Sequence, residues 1–468
     1  VLRVAETVMH SFMHRELVLH TDVLMLEGGW RYLAGDRPGA CEWSIVAGVG
    51  LALIVLWVLL AWAVGRVFRA AARPGFGYGV LLACQAMVVA LWCEGSARHS
   101  VPSRIVGSSM LNRTLLQAAR SLSDRPWGYV DLLAERQYAA EQERARHPTN
   151  LQKLGGADVY VAFVESYGRV LFSNPDRARQ FTERLPVFAK ALTDVGFASC
   201  SSFVRPPVLG AESQVSHAEL LVGFRLDNYR QADLVLDTTA KAMPRFFHDA
   251  GYHAVSVQPK LLVEWPRGKF FGFDQDLFGV HTTYQQDGGV LYHWAHAPDQ
   301  YILELLLRDV VRPSKKPVFA QFISASSHSP FAMVAPYLTD WSKASDPRSF
   351  TPVRRYDIGL VSYITDPRAV QAYLETIDYS LQTLIGFAGE LARAGRSAVL
   401  IVLGDHQPPL LVQERKTFDV PIHVWSNRKE LLDPFRMRGF VAGLVPPPGT
   451  VSFRLERVLP RLLQDFSK

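Results

Sequence analysis

The pattern of hydrophobic and polar positions first singles out a membrane region near the start of the chain. Ile45 to Val64 and Pro74 to Cys93 are two uncharged, largely apolar stretches. A helix of about 20 apolar residues is about 30 Å long, which matches the hydrocarbon core of a bilayer. We therefore predict two transmembrane helices with a short loop over residues 45–94, preceded by an outer-side, membrane-proximal segment, residues 1–44.

The short loop between these helices indicates their orientation. It carries Arg66, Arg69 and Arg73 and no acidic residue. Short basic loops remain in the cytoplasm, so we expect a multi-pass protein of the plasma (inner) membrane whose later part is periplasmic or extracellular. Because the chain starts at Val1 on the outer side without a signal-peptide pattern, we also expect upstream sequence with at least one further membrane helix.

The remainder of the chain shows a different pattern. Residues 95–156 are polar and include a charged run from Ala134 to Arg146, which predicts a helical linker. From Asp158 onward, short apolar runs alternate with helical patterns. The predicted strands are Val159–Val164, His253–Val257, Pro317–Ile323, Ala398–Leu403 and Val420–Trp425. The predicted helices lie near Ala178–Val195, Thr239–Ala250, Arg368–Ala394 and Leu455–Phe466.

This alternation predicts an α/β fold with a mostly parallel sheet flanked by helices. We place the sheet-bearing domain at residues 157–445 and a C-terminal helix that packs on it at residues 446–468. A hydrophobic content of 49% with 20% charged residues supplies enough apolar material for such a core and argues against disorder.

The charge distribution argues against a nucleic-acid-binding protein, and the cysteine content argues against a disulfide-rich one. The formal net charge of +6 is spread along the sequence, so it predicts no nucleic-acid partner. Two of the four cysteines, Cys84 and Cys93, lie in or at the edge of the second predicted membrane helix, so no disulfide framework is indicated. We expect Cys200 to be an ordinary buried thiol.

Potential metal ligands follow two of the predicted strands. Glu165 comes directly after the first strand, and Asp405 and His406 come after the strand that ends near Leu403. Parallel strands bring their carboxyl ends to one shared crevice. Carboxylate and imidazole ligands suit one divalent ion, such as Mn²⁺, Mg²⁺ or Zn²⁺. The alternative for Glu165 alone is that it caps the next helix.

The residues around these ligands resemble a known family. Val-Glu-Ser-Tyr-Gly at residues 164–168 and Gly-Asp-His-Gln-Pro at residues 404–408 are similar to the sulfatase-type domain, of the alkaline phosphatase superfamily, found in lipoteichoic acid synthase and related phosphoglycerol and phosphoethanolamine transferases. The resemblance covers about residues 157–445. It implies that Glu165, Asp405 and His406 bind the metal, together with a Ser or Thr nucleophile located between them in sequence.

The nucleophile is one of two serines. Aligning His217 with the histidine of a Gly-Gly-Ser-Trp-x-Ala-His pattern, found in some sulfatase-like membrane proteins, matches Ser213 to the serine of that pattern, and Ser216 is the alternative. A metal and a helix start with free backbone N–H groups would activate this hydroxyl. Without the resemblance, the sequence favours the alternative that Ser213 is only the N-cap of a helix over Ala218 to Phe224.

The resemblance also implies residues that contact the substrate. His328, within Ser-Ser-His-Ser-Pro after the strand that ends at Ile323, would hold the phosphate or protonate the leaving group. His217 belongs to this group as well. Trp294, His296 and Asp299 are similar to a segment that lines the headgroup pocket, although Pro298-Asp299 is also ordinary helix-start sequence.

The resemblance implies a membrane-anchored phosphotransferase. The expected donor is a membrane phospholipid that supplies phosphoglycerol or phosphoethanolamine, and the expected acceptor is an envelope glycan or lipid. Neither Cys200 nor Ser213 lies in the Cys/Ser-x-Pro-x-Arg setting that formylglycine sulfatases need, which makes sulfate ester chemistry the weaker expectation. The alternatives are a sulfuric or phosphoric ester hydrolase and an inactive envelope-binding protein on the same fold.

Overall fold

The computed structural model describes Val55 and residues 126–173, 175–259, 265–292, 296–358, 366–411, 417–449 and 452–468. Residues Tyr129 to Lys468 belong to one compact unit. Both predicted membrane spans lie outside the described residues, apart from Val55. Within the described ranges, no helix has the length and apolar character needed to cross a bilayer.

A large mixed sheet forms the centre of the described unit. Its strands are β1 (Asp158–Val164), β2 (Ala198–Arg205), β3 (His253–Val257), β4 (Gln275–Leu277), β5 (Val318–Ile323), β8 (Ala398–Gly404), β9 (Val420–Ser426), β10 (Val441–Ala442) and β11 (Phe453–Arg454). The strand order is β10-β2-β9-β8-β1-β5-β3-β4, and β11 pairs with β2. Among these strands only β9 and β10 run against the others. A separate small sheet pairs β6 (Met333–Val334) with β7 (Arg354–Arg355).

Helices flank this sheet. They are α1 (Pro126–Arg144), α2 (Pro175–Thr182), α3 (Leu185–Asp194), α4 (Ser213–Val222), α5 (Tyr229–Leu234), α6 (Met243–Asp249), α7 (Val280–Gln286), α8 (Asp299–Leu306), α9 (Pro367–Arg393), α10 (Asp433–Met437) and α11 (Val458–Phe466). A π-helical turn, Leu307–Val311, extends α8. The mostly parallel sheet with helices on it confirms the predicted fold class.

The sheet is buried on both faces, which explains why its central strands read as continuous apolar runs. Every residue of β1 and of β8 is buried. Because side chains alternate along a strand, Tyr160 and Val164 enter one core, whereas Val161 and Phe163 enter the other. The first core is closed by α3, α8 and α9, and the second by α4, α6 and α11.

Two of the differences between the structure and the predicted elements lie near β2. The single helix expected over residues 178–195 is two helices, α2 and α3, because Pro186 lies in the first turn of α3, where its missing N–H costs nothing. Strand β2 was not predicted, since its Ser201 and Ser202 make the sequence look polar. Both serines are nevertheless buried.

Part of the predicted linker packs on the sheet-bearing unit. In α1, Arg136 donates hydrogen bonds to the carbonyl oxygen of Arg225 and to Asp227, each at 2.8 Å. Arg144, at the end of α1, donates to the carbonyl oxygen of Val222 at 2.9 Å. Helix α1 is therefore attached to the last residue of α4 and to the residues between α4 and α5.

Candidate metal centre and nucleophile

Strand register brings the predicted metal ligands to one edge of the sheet. Val164 is the partner of Gly404 between the parallel strands β1 and β8, so the next residues, Glu165 and Asp405, leave the sheet side by side. On the other side of β1, the backbone N–H of Ser324, the first residue after β5, donates to the carbonyl oxygen of Phe163 at 2.8 Å. Three loops therefore start at the same edge, where α/β folds place their functional groups.

Glu165, Asp405 and His406 form a compact buried cluster. Their potential ligand atoms all lie within 4.8 Å of one another, and the residues are 2%, 0% and 3% exposed. His406 Nε2 lies 3.1 Å from a Glu165 oxygen and 3.8 Å from Asp405 Oδ2. Three such ligands converging away from solvent can hold a divalent metal ion.

The hydrogen bonds around the cluster orient it for a cation. Asp405 Oδ1 accepts from the backbone N–H groups of Ser166 and His406, both at 2.8 Å. Its Oδ2 is buried and has no hydrogen-bond partner among the described residues. His406 Nδ1 donates to the carbonyl oxygen of Gln407 at 2.8 Å, which directs Nε2 at the carboxylates. A ligating histidine usually donates its second ring N–H in this way. The residues therefore fit a metal ion.

The two carboxylates of the cluster also favour a positive charge beside them. Burial alone would lower the pKa of His406, but the carboxylates of Asp405 and Glu165 raise it to about 9. In the metal-free protein the imidazolium consequently supplies the charge that two buried carboxylates require. Unpaired buried carboxylates would be costly, and a bound cation would replace that proton.

Two glycines allow the metal-binding loops to approach each other. A Cβ atom on Gly404 would overlap the carbonyl oxygen of Tyr167, and one on Gly168 would overlap the side chain of Gln407. The Gln407 side chain fills this space because it accepts from the N–H of Val170 at 3.1 Å and donates to the carbonyl oxygen of Asp419. Glycine at both positions is thus a packing requirement of the site.

Ser213 begins helix α4 beside this edge. The helix starts five residues earlier than predicted, and its N-cap residue is Glu212 instead of Ser213. Ala211 and Glu212 have left-handed φ values of 60° and 56°, a conformation that is strained for non-glycine residues and concentrated at functional sites. The backbone N–H of Gln407 donates to the carbonyl oxygen of Leu209 at 2.8 Å, which attaches this segment to the metal-binding loop.

His217 and Ser216 connect α4 to the cluster in different ways. His217 Nε2 lies 3.7 Å from Asp405 Oδ2, too far for a hydrogen bond, and neither atom has a partner among the described residues. His217 and Ser213 are four residues apart and share a helix face. Ser216 is fully buried, and its hydroxyl donates to the carbonyl oxygen of Asp405 at 2.8 Å. The Ser213 side chain, in contrast, is half-buried and makes no hydrogen bond with a described residue.

The loop that carries His328 is attached to both the cluster and α8. Ser327 donates to the carbonyl oxygen of Glu165 at 2.8 Å, and His328 Nδ1 donates to the carbonyl oxygen of Ser329 at 2.8 Å. Asp299, the first residue of α8, is fully buried. Its carboxylate accepts from the backbone N–H groups of Ala325 and of residue 326, at 2.9 and 3.1 Å.

The side chain of Asp299 supports the loop that carries His328. It also accepts from Ser324 Oγ at 2.6 Å and from Ser380 Oγ at 3.2 Å. Burial raises the pKa of Asp299, and these hydrogen bonds oppose that shift. His296 is 3% exposed, donates to the carbonyl oxygen of Ala297 at 3.0 Å and stacks on Tyr292. Trp294 lies outside the described residues.

Sequence reasoning missed several supporting residues. Ser166, Gln407 and Ser327 each stand next to a predicted site residue, and that adjacency was the available signal. Tyr167 belongs to the Val-Glu-Ser-Tyr-Gly motif, but its two buried partners, Ser201 and His423, gave no such signal. Ser201 donates to the carbonyl oxygen of Gly443, so His423 Nδ1 donates to Ser201 and Nε2 accepts from Tyr167, at 2.6 and 3.1 Å. Burial lowers the pKa of His423 to about 3, which keeps the ring neutral.

The fold and the cluster together define an α/β protein with a buried group of carboxylate and imidazole side chains at its strand ends that can hold a metal ion. Residues 205–431 match the family model described as Sulfatase, which confirms the predicted resemblance to a sulfatase-type domain. Among curated proteins, none matches the chain.

Several solved structures are similar to the chain at low sequence identity. The soluble domain of lipooligosaccharide phosphoethanolamine transferase A from Neisseria meningitidis is 12% identical, with 67% of this chain and 90% of that chain covered and a TM-score of 0.43. The lipoteichoic acid synthase LtaP from Listeria monocytogenes is 15% identical, with 66% and 71% covered and a TM-score of 0.42. The C-terminal periplasmic domain of EptC from Escherichia coli, in complex with Zn, is 15% identical, with 67% and 80% covered and a TM-score of 0.41. Similarities of this size do not assign an activity.

Proposed function

We propose that this chain is a membrane-anchored, metal-dependent phosphotransferase that moves phosphoglycerol or phosphoethanolamine from a phospholipid to an envelope glycan or lipid through a covalent Ser213 intermediate. The observation that carries the proposal is the buried cluster of Glu165, Asp405 and His406 beside the start of α4. The membrane anchor and the lipid donor rest on the apolar stretches before residue 94 and on the motif resemblance.

Glu165, Asp405 and His406 would hold the ion, with Ser213 as a further ligand. At this position a bound divalent metal would lower the pKa of a coordinated hydroxyl and would neutralise charge on phosphate oxygens. The unpartnered Oδ2 of Asp405 supports this assignment, because a buried carboxylate oxygen normally has a partner. Mn²⁺, Mg²⁺ and Zn²⁺ all accept this set of oxygen and nitrogen ligands.

The proposed reaction has two displacement steps at phosphorus. In the first, Ser213 Oγ loses its proton and attacks the phosphorus of the headgroup phosphodiester. A serine-phosphate bond forms, the bond to the diacylglycerol oxygen breaks, and diacylglycerol leaves as the alcohol after that oxygen gains a proton. In the second, an acceptor hydroxyl attacks the same phosphorus, and the proton it loses allows Ser213 to leave as the hydroxyl. His328, on the loop attached to Glu165, is the candidate to donate and accept these protons.

Ser213 is preferred over Ser216 on three grounds. The Ser216 hydroxyl is buried and already donates to the backbone of Asp405, so attack would require breaking that hydrogen bond. Ser213 is half-buried at the first helical position, where the N–H groups of a helix start favour a phosphate. His217 follows one turn later on the same face, with its Nε2 3.7 Å from Asp405 Oδ2. His217, His296 and Trp294 are the remaining candidates for substrate contact.

The test is intact mass measurement of the full-length chain in detergent. The protein is incubated with MnCl₂ or ZnCl₂ and with phosphatidylglycerol or phosphatidylethanolamine, beside Ser213→Ala and Ser216→Ala. Ser342→Ala is the matched control, because Ser342 is an exposed serine in the turn Trp341–Lys343. We expect a headgroup adduct on the wild type, Ser216→Ala and Ser342→Ala, and none on Ser213→Ala.

The other outcomes are equally informative. An adduct that is lost only in Ser216→Ala would transfer the nucleophile role to Ser216. An adduct present on all variants would contradict the covalent serine at both positions. Absence of adduct, of bound metal and of lipid turnover would refute the transferase proposal and favour an inactive binding protein.

A further inference from the structure

A basic cavity lies between the end of α1 and helix α11, near the end of α4 that is opposite to Ser213. Its volume is about 200 Å³, several times the roughly 30 Å³ that one water molecule occupies in the liquid. The charged or titratable residues that line it are Glu143, Arg144, His147, Arg438, Arg457 and Arg461. Four arginines and one glutamate therefore share a single small cavity.

Two of these arginines are neutralised by ion pairs. Arg457 lies 2.7 Å from a Glu143 oxygen, and Arg438 forms an ion pair with Asp465. Arg144 and Arg461 have no carboxylate within ion-pair distance among the described residues. The cavity consequently carries an excess of about two positive charges, by the usual protonation of arginine.

Arg461 stands in a crowded positive environment. Its guanidinium lies over the ring of Phe453, 4.1 Å from the ring centre. Burial, followed by the charges of Arg438 and Arg457, lowers its pKa. An anion beside Arg461 would offset the repulsion from Arg438 and Arg457.

Arg144 is the more unusual of the two. It is only 7% exposed, and its Nη1 donates to the carbonyl oxygen of Val222 at 2.9 Å. Its Nη2 is buried and has no hydrogen-bond acceptor among the described residues. A buried guanidinium with an unsatisfied N–H is costly unless an anion or another acceptor completes its hydrogen bonds.

We infer that this cavity binds a phosphate group, carried either by a small phosphate ester or by a lipid headgroup. The planar guanidinium fork matches phosphate oxygens, which Arg144 and Arg461, both of which line the cavity, would contact together. The site is separate from the metal centre, because Val222 ends the ten-residue helix that Ser213 begins, a separation of about 15 Å along the axis. The inference does not depend on the proposed function.

The test measures binding of inorganic phosphate to the full-length chain by calorimetry at constant ionic strength. The protein is stripped with EDTA, so that the carboxylates of the metal centre disfavour an anion there. Arg461→Gln removes the more accessible unpaired charge, and Arg144→Lys keeps the charge but removes the fork. Arg308→Gln is the control, since Arg308 is exposed and paired with Asp309 outside the cavity.

We expect Arg461→Gln and Arg144→Lys each to weaken phosphate binding about tenfold or more, with unchanged thermal unfolding in Arg461→Gln and wild-type affinity in Arg308→Gln. Three further probes distinguish the source: sn-glycerol 3-phosphate, dihexanoyl phosphatidylglycerol and dihexanoyl phosphatidylcholine. Preference for the glycerol lipid over the other probes identifies a headgroup, and preference for the soluble ester identifies a small phosphate ester. Absence of binding by all probes, or an equal loss in Arg308→Gln, would overturn the inference.

Discussion

Metal binding at the proposed centre should displace one proton from His406. In the metal-free protein the carboxylates of Asp405 and Glu165 hold the pKa of His406 at about 9. The metal needs the neutral ring, so near pH 7, about two units below that pKa, only about one molecule in 100 is ready to bind. The apparent affinity should therefore rise about tenfold for each pH unit between pH 6.5 and 8.5.

Calorimetric titration of the full-length chain with MnCl₂ tests this linkage. At each pH the titration is repeated in two buffers of different ionisation enthalpy, which counts the protons released for each ion bound. We expect close to one proton at pH 7. His406→Asn should bind weakly and release none, whereas His248→Asn, which changes an exposed histidine paired with Asp274, should behave as the wild type. Equal affinity at pH 6.5 and 8.5 with no proton release would refute the reasoning.

The same pKa shift has a consequence for stability. The folded-state pKa of His406 lies above the ordinary value of about 6.5, so the imidazolium stabilises the metal-free fold below that value, and this contribution is lost as the pH rises towards 9. Thermal unfolding of the metal-free protein should therefore occur at a lower temperature at pH 9 than at pH 6.5, with a smaller pH dependence from this group when Mn²⁺ is bound.

Two substitutions test how the site is held. Gly404→Ala should force the loop of Asp405 and His406 away from the carbonyl oxygen of Tyr167, and overpacking of this kind costs about 1–3 kcal/mol. Calorimetry should show much weaker metal binding to this variant. Binding equal to that of the wild type would contradict the role of this close approach. Asp299→Ala should leave the buried backbone donors of residues 325–326 unpaired at about 1–3 kcal/mol each; urea unfolding should show this loss, whereas the exposed control Asp309→Ala should change little.

Local patterns were sufficient to predict the sheet strands that carry the metal ligands. β1 and β8 are fully buried, and apart from Asp158 at the start of β1 their residues form two continuous apolar runs. Glu165 and Asp405 were recognisable because a charged residue ends each run. Strand β2 gave no comparable signal, since the polarity of Ser201 is compensated only by His423 and a carbonyl oxygen that are distant in sequence.

The sequence by itself determined the fold class, the order of the central strands along the chain, and the identity of Glu165, Asp405 and His406 as potential ligands, because these depend on local hydrophobic pattern and on residue chemistry. Only the tertiary structure decided what depends on register and long-range hydrogen bonds. It brought those ligands within 4.8 Å, bound the Ser216 hydroxyl to the Asp405 backbone, and buried Arg144 against the end of α4 with one N–H unpaired. Contacts between residues separated by tens to hundreds of positions leave no periodic trace in a single sequence.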